Sequence, residues 1–425
     1  MIVDFTATNY RSIKTEQLLS LYAEKKPKHH IGNVAYIEDD LGLLKTTAIY
    51  GANASGKTNL LLALDALKYL IVESGDLKEN DAITAYEPYL LSKETLKQPT
   101  SFEIEFYTHN ERYRYEVTFD RFNILHEKLD HFKTSKPSNI FTRTSPDEWK
   151  EVKFGDSYKG GKKQFAFFPN NSYISKAGNS PESPEFIRDI YNFFRKDIHI
   201  LKTNHSVGIL DWENKHGFSK VVDTFLGKAD FGINNFKFEK GDQPEGMEFA
   251  EDIPNELREK FITQFSKKEM FYHKSDFGDL VAFDSSKESR GTNRLFKLIP
   301  FFTMVLRTGS IICVDEIEMS LHPHIAELVI KLFNDPLVNV NNAQLIFTTH
   351  DMSLMSQNTL RKDQVYLAAK SPEGGTEYVS LEEFEGSLKD SSPFAKWYNE
   401  GRLGGIPEIN YRDIADSIKE VFNDA

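Results

Sequence analysis

Residues 46–64 read TTAIYGANASGKTNLLLAL and contain the pattern GxxxxGK[ST] at residues 51–58. The residues before Gly51 are apolar or β-branched and predict a short buried strand. After the glycine-rich turn, apolar residues recur at Leu60, Leu61 and Leu64, which is helical spacing. A glycine-rich turn between a strand and a helix offers backbone N–H groups and a helix N-terminus to an anion. The stretch therefore predicts a phosphate-binding loop that opens an α/β fold.

Two side chains at the end of this loop have expected roles. Lys57 is predicted to reach the β- and γ-phosphates of ATP, and the Thr58 hydroxyl is predicted to ligate Mg²⁺. The alternative is a chance match, since average residue frequencies produce the bare pattern in roughly one chain in a hundred. The strand before the loop and the helix after it favour nucleotide binding. The residues predicted to form the loop are Gly51, Asn53, Ser55, Gly56, Lys57 and Thr58.

A second set of polar groups follows two further predicted strands. The apolar run 311–314 ends in Asp315 and Glu316, and the run 345–349 ends in His350. At the carboxyl end of a parallel strand, Asp315 can hold the Mg²⁺ shell and Glu316 can polarise the attacking water. His350 can hydrogen-bond the γ-phosphate. The alternatives are a solvated acidic turn and a structural histidine, but a shared sheet edge with Lys57 favours catalytic roles.

Glu288-Ser289-Arg290-Gly291-Thr292 precedes an apolar helix predicted over 295–305. Ser289 and Gly291 at a helix N-terminus can form an anion site. The alternative is an ordinary N-cap, with Ser289 or Thr292 as the capping residue. Within one subunit a second anion site would be redundant, so we expect Ser289 and Gly291 to cap the γ-phosphate held by a second subunit.

The remaining pattern predicts the layers around this site. Period-two alternation over 102–119 predicts an antiparallel hairpin, and residues 2–21 predict an opening hairpin or meander. The stretch 130–165 is rich in Lys, Ser and Pro and predicts loops. Continuous apolar strands that alternate with helices in the last third predict a mostly parallel sheet flanked by helices.

Composition limits the classes of function. The chain has 425 residues, with 52 Lys+Arg against 64 Asp+Glu and a net charge of −12, so it is not a general polyanion binder. Cys313 is the only cysteine, which excludes an internal disulfide and a cysteine-rich zinc site and fits a reducing cytosol. The sequence shows no signal peptide and no membrane-spanning run, and it predicts a cytoplasmic protein without membrane contact.

The order of these motifs resembles the ABC ATPase heads of the SMC and RecF kind. The Asn-containing loop, with Asn53 and Asn59, is similar to theirs, and Glu318–Pro323 resembles their D-loop. The resemblance implies that Arg11, in Asn9-Tyr10-Arg11-Ser12, faces the nucleotide. It also implies a homodimer that sandwiches ATP, and a higher homo-oligomer remains open. A glutamine of the Q-loop is not placed; Gln164 is one candidate, and an ordinary loop residue is the favoured alternative.

Four segments resemble one bacterial subfamily, the stand-alone ABC-like ATPases of abortive-infection and other phage-defence systems such as RloA, the AbiL ATPase and the ATPase subunit of PARIS. These segments are Ala229–Ile233, His273-Lys274, Glu288–Thr292 and Gly401–Pro407. The resemblance implies an ATPase that acts as the sensor or scaffold of an anti-phage system. A separate effector protein, a nuclease or toxin, and a phage-encoded trigger are the implied partners.

The predicted fold class is α/β: an ABC ATPase head with a mostly parallel sheet flanked by helices, an antiparallel β subdomain and a helical insertion. The predicted division is 1–80 for the N-terminal part of the head, 81–165 for the β subdomain, 166–270 for a mainly helical insertion and 271–425 for the C-terminal part of the head.

A DNA-binding repair or recombination ATPase of the RecF/SMC-like kind is the alternative function. Its candidate contacts are the basic clusters Lys159–Lys163, Lys267-Lys268 and the run from Lys25, each of which is more simply a solvated face. The acidic net charge favours the defence ATPase, and DNA binding stays open.

Overall fold

A computed structural model describes residues 1–24, 29–38, 41–134, 136–144, 149–202, 212–214, 217–229, 232–241, 266–384, 388–389, 391–405 and 410–423. The chain divides into two compact units. The first consists of Met1–Thr203, Thr308–Ile317 and Glu327–Ala425, and the second of Asn204–Arg307 and Glu318–Ala326.

The first unit contains a largely parallel sheet. Its strands are β5 (Thr46–Tyr50), β11 (Ile198–Leu201), β15 (Ile311–Val314), β16 (Gln344–Thr349), β17 (Val365–Lys370) and β18 (Thr376–Ser380). Their order is β11-β15-β16-β5-β17-β18, and only the β17–β18 pair is antiparallel. Residues 370–384, a polar segment, thus contribute the turn and the outer, antiparallel strand of the β17–β18 hairpin at the edge of this sheet.

A seven-stranded antiparallel sheet also belongs to the first unit. Its strands are β1 (Ile2–Thr8), β2 (Gln17–Ser20), β6 (Thr100–Thr108), β7 (Glu111–Phe119), β8 (Ile124–Phe132), β9 (Pro137–Thr144) and β10 (Lys153–Phe154). The order is β10-β9-β8-β7-β6-β1-β2. The predicted hairpins over 2–21 and 102–119 are both present. The prediction of loops over 130–165 is wrong at 130–132, 137–144 and 153–154, because pairing of β9 with β8 and of β10 with β9 satisfies the backbone of these stretches despite their Lys, Ser and Pro content.

Helix α1 (Lys57–Val72) packs between the two sheets. One hydrophobic cluster joins Leu60, Leu64 and Leu67 of the helix to Ile104 of the antiparallel sheet and Ile49 of the parallel sheet. Burial on this scale stabilises an element by about 25 cal/mol per Å² of apolar surface. The rigid packing fixes the N-terminus of α1, and with it the end of the glycine-rich turn.

Helices lie on both faces of the parallel sheet. Ile49 of β5 faces α1, whereas Thr46, on the opposite face, donates a hydrogen bond of 2.9 Å to Asn334. Asn334 ends α6 (Pro323–Asn334). This arrangement confirms the predicted α/β fold with a mostly parallel sheet, flanking helices and an antiparallel β subdomain.

The second unit is built on a three-stranded antiparallel sheet of β12 (Ile233–Lys240), β13 (Lys267–Lys274) and β14 (Leu280–Asp284). Helices α4 (Phe218–Lys228) and α5 (Arg290–Thr308) accompany it, and Phe296 of α5 packs on Phe236 and Phe271 of the sheet. The segment predicted as a mainly helical insertion thus contains strands as well as helices. The predicted domain boundaries themselves remain predictions.

The described residues contain four further α-helices and two further β-strands. They are α2 (Tyr173–Gly178), α3 (Glu185–Asn192), α7 (Phe394–Asn399), α8 (Tyr411–Asn423) and the two-stranded β3 (Val34–Glu38) and β4 (Leu41–Leu44). Among the helices of the described residues, none combines the length and apolar character needed to cross a membrane.

Candidate functional site

Three neighbouring parallel strands end at one edge of the sheet. Val314 of β15 is level with Phe347 of β16, and Thr349 of β16 is level with Tyr50 of β5. The residues that follow these strands therefore lie together, as the carboxyl ends of parallel strands do. The structure thus brings the glycine-rich loop, the acidic pair Asp315-Glu316 and His350 to the same edge.

The loop before α1 has the backbone conformation of a tight cradle. Gly56 has φ +100° at the N-cap of α1, a value that disfavours any other residue. The buried Lys57 ammonium donates hydrogen bonds to the carbonyl oxygens of Gly51 at 2.7 Å and Ala52 at 2.8 Å. Ser55 Oγ is buried and has no hydrogen-bond partner among the described residues. A cationic group and an unsatisfied hydroxyl in one small-residue loop suit a phosphate ligand.

Asp315 connects the loop to the next two strands. Its Oδ1 accepts hydrogen bonds from Thr58 Oγ1 at 2.8 Å and from Thr348 Oγ1 at 2.7 Å. A carboxylate and a hydroxyl that already lie within contact distance form a set of hard oxygen ligands, which Mg²⁺ prefers. The predicted metal ligands Thr58 and Asp315 are therefore adjacent and fit that ion.

Glu316 follows Asp315 in a left-handed backbone conformation, with φ +50°. Its amide donates to Thr348 Oγ1 at 2.8 Å, and the amide of Ile317 donates to the Thr348 carbonyl at 3.1 Å. These bonds turn the chain after β15 so that the Glu316 side chain is partly exposed. His350, exposed just beyond β16, lies on the same edge. Such non-glycine left-handed residues concentrate at functional sites.

Arg11, Asn59 and Asn53 were also predicted to belong to the site. Arg11 is half-exposed and forms an ion pair with Glu87 at 2.9 Å. Asn59, in the first turn of α1, donates from Nδ2 to Ser12 Oγ at 2.5 Å, and Asn53 is exposed on the loop. The Arg11 guanidinium thus contacts the Glu87 carboxylate in this structure. Its predicted contact with the nucleotide stays a prediction.

Ser289 and Gly291 lie in the second unit, at the start of α5. Ser289 Oγ accepts a hydrogen bond from the Thr292 amide at 3.0 Å, which is the N-cap geometry that the sequence left as the alternative. Gly291 packs closely on the Ser320 carbonyl, and an added Cβ would overlap it. The glycine is required by this approach. Both residues, with Ser320, His322 and His324, line a cavity of 490 Å³.

Three functional residues were not found from the sequence. Thr348 connects Asp315 to Glu316, while Thr376 and Tyr378 of β18 contact the phosphate loop. Only Thr348 had a local signal, a hydroxyl at the end of the strand that precedes His350. Gln164, the candidate for the Q-loop, is an exposed residue outside the helices and strands.

In each of the two described basic clusters, one lysine forms an ion pair with an acidic residue. Lys162 pairs with Glu182 at 2.7 Å, and Lys267 pairs with Glu213. Lys25–Lys28 lie outside the described residues, as do Asp230, Phe231, Ile406 and Pro407 of the subfamily segments.

Comparison with a protein-family model identifies the class of this chain. A family model described as "AAA domain, putative AbiEii toxin, Type IV TA system" matches residues 46–356, more than half of the chain. The chain therefore belongs to this family and is an ATPase of the AAA-domain type.

Solved structures with similarity include the SMC head domain from Thermotoga maritima, with 12% identity and a TM-score of 0.40 over 89% of this chain and 98% of that one. Another is cbiO1 from Clostridium perfringens, part of the ABC transporter complex cbiONQ, with 12% identity and a TM-score of 0.29 over 98% of each chain. No curated protein matches this sequence.

Proposed function

We propose that this chain binds and hydrolyses Mg-ATP at the phosphate loop, in sites completed by a second copy, and that it is the sensor or scaffold subunit of a bacterial anti-phage system. The observation that carries the catalytic part is the position of Asp315. Its carboxylate joins Thr58 of the loop to Thr348, and Thr348 in turn holds the amide of Glu316. Nucleotide-binding and water-activating groups are thus connected through one short hydrogen-bonded chain.

Each residue has a proposed role at the reacting phosphate. Lys57 exchanges its loop carbonyl partners for the β- and γ-phosphate oxygens, and the amides of the loop hold the rest of the charge. Glu316 orients and deprotonates the attacking water, and His350 donates to the γ-phosphate. Thr58 and Asp315 would hold Mg²⁺, which would neutralise phosphate charge. Ser289 and Gly291 of the second copy cap the γ-phosphate.

The defence role is supported by the family, whose description includes a putative toxin of a toxin–antitoxin system, and by the subfamily resemblance. The proposed partners are a separate toxic effector, such as a nuclease, and a phage-encoded trigger. A RecF/SMC-like repair ATPase is the second candidate. The net charge of −12 does not favour it, because DNA is a polyanion that an acidic chain repels.

Two substitutions test the catalytic proposal on the purified chain. Lys57→Ala is expected to abolish binding of a fluorescent ATP analogue. Glu316→Gln is expected to bind the analogue normally but to hydrolyse ATP at least about a hundredfold more slowly, since it removes the general base. Glu185→Gln, an exposed carboxylate in α3, is the matched control. Hydrolysis by Glu316→Gln at the wild-type rate would contradict the role of Glu316.

The defence role is tested in cells. Co-expression with the product of the neighbouring gene should reduce phage plating, and Lys57→Ala should remove this protection. Protection that persists in Lys57→Ala would count against the proposal. Tight binding of duplex DNA at physiological salt in a gel shift, with a steep salt dependence, would favour the repair ATPase instead.

A further inference from the structure

The outer hairpin of the parallel sheet contacts the phosphate loop from outside the predicted site. Thr376 Oγ1 of β18 donates a hydrogen bond to the carbonyl of Ser55 at 2.8 Å, and the Tyr378 hydroxyl donates to the carbonyl of Gly56 at 2.7 Å. Both side chains are nearly inaccessible to solvent, with 2% and 5% exposure. Two buried hydroxyls of one edge strand therefore bind two successive carbonyls of the loop.

The donor of each bond follows from counting protons. Thr376 has one hydroxyl proton, which goes to the Ser55 carbonyl because a carbonyl can only accept. In the contact of 2.7 Å between Ser12 Oγ and Thr376 Oγ1, Ser12 must then be the donor. Ser12 itself accepts from Asn59 Nδ2 at 2.5 Å. The bonds run in one direction from Asn59 through Ser12 and Thr376 to the loop.

Holding these carbonyls also orients two amides. In a planar trans peptide the C=O of one residue and the N–H of the next point in opposite directions. The Ser55 carbonyl shares its peptide plane with the Gly56 amide, and the Gly56 carbonyl shares its plane with the Lys57 amide. Because both carbonyls are bound to β18, both N–H groups are directed away from β18.

We propose that Thr376 and Tyr378 are positioning residues that hold the Gly56 and Lys57 amides in the orientation that binds nucleotide phosphates. The inference rests on nucleotide binding at this loop. Without the two hydroxyls, the Ser55 carbonyl loses its bond to Thr376, and the Gly56 carbonyl keeps the bond of 2.9 Å from the Asn59 amide. Part of the ordering of the loop then falls to the binding of ATP, and the entropy lost at that moment weakens binding. The close packing around Gly56 also supports a loop that is held in place, since an added Cβ would lie 2.7 Å from Ser12 Oγ.

The test uses conservative variants of the full chain. Tyr378→Phe and Thr376→Val each remove one hydroxyl, and each is expected to weaken binding of an ATP analogue about fivefold, the effect of one hydrogen bond. KM for ATP should rise by a similar factor, with a smaller change in kcat. Thr376→Ser keeps the hydroxyl and should bind like the wild type.

Tyr366→Phe is the matched control. Tyr366 is also 5% exposed, on the neighbouring strand β17, and its hydroxyl donates to the Ser20 carbonyl at 3.1 Å, away from the loop. Both tyrosine variants should lose similar thermal stability, but only Tyr378→Phe should lose affinity. Equal affinity in Tyr378→Phe, Tyr366→Phe and the wild type, or equal losses in both variants, would overturn the inference. If the wild type itself binds no nucleotide, the proposed function fails instead.

Discussion

Asp315 shows how one carboxylate organises the candidate site. It accepts hydrogen bonds from hydroxyls on two different elements, Thr58 of α1 and Thr348 of β16. Carboxylate and hydroxyl oxygens held together in this way are the hard ligands that Mg²⁺ prefers. The amide of the neighbouring Glu316 donates to the same Thr348 hydroxyl, and the Glu316 side chain is partly exposed whereas Asp315 is buried. The two acids therefore have different environments, consistent with one metal ligand and one base.

A residue away from the site provides a test of pH dependence. Burial, with a smaller contribution from Lys68, lowers the pKa of His199 from 6.5 to about 4. The unfolded chain thus binds this proton more readily than the folded chain, and the stability present above pH 6.5 is lost as the pH falls towards 4. We expect the free energy of unfolding in urea to fall less between pH 7 and pH 5 in His199→Gln.

His109→Gln serves as the control for that measurement, because the His109 side chain is 66% exposed. The control should retain the wild-type loss of stability between pH 7 and pH 5. An equal loss in His199→Gln and the wild type would show that His199 does not cause the acid sensitivity.

At the scale of elements, a buried ion pair fastens α2 to the antiparallel sheet. Glu127 of β8 and Arg143 of β9 lie 3.3 Å apart, with 0% and 2% side-chain exposure. Glu127 also accepts from the amide of Tyr173 at 2.8 Å and from the Tyr115 hydroxyl at 3.0 Å. The pair thus satisfies the start of α2 as well as the sheet.

Glu127→Ala is expected to reduce the free energy of unfolding by about 3–5 kcal/mol, because it leaves the Arg143 charge buried and unpaired. Glu182→Ala removes the exposed partner of Lys162 and should cost about 1 kcal/mol or less. Urea unfolding of both variants measures the difference. Equal costs would mean that burial does not set the strength of the Glu127 contacts.

At the scale of the whole molecule, the proposal requires two copies at each ATP. Glu316→Gln should bind ATP without turning it over, so Mg-ATP should convert it from a monomer of 48.8 kDa to a dimer of twice that mass. Size exclusion with light scattering measures this change. Lys57→Ala combined with Glu316→Gln should stay monomeric. A stable multimer that ATP leaves unchanged would replace ATP-driven dimerisation with rearrangement of a preformed assembly.

The sequence by itself determined the elements whose signals are local. These elements are the glycine-rich loop, the strand and helix around it, and the acidic pair after 311–314. Each depends on residues a few positions apart. Turn chemistry and apolar periodicity act over that distance. The α/β fold class followed from the alternation of these elements.

Only the tertiary structure decided the partners that are distant in sequence. Thr376 reaches Ser55 across 321 positions, and Thr348 reaches Asp315 across 33. Thr376 does not differ locally from any other strand threonine, and Thr348 has only its position before His350 as a local signal. Strand β9 pairs with β8 in a stretch whose Lys, Ser and Pro content predicted loops. Side chains acquire such roles when the sheet register brings them to a carbonyl or a carboxylate, and no local pattern encodes that register.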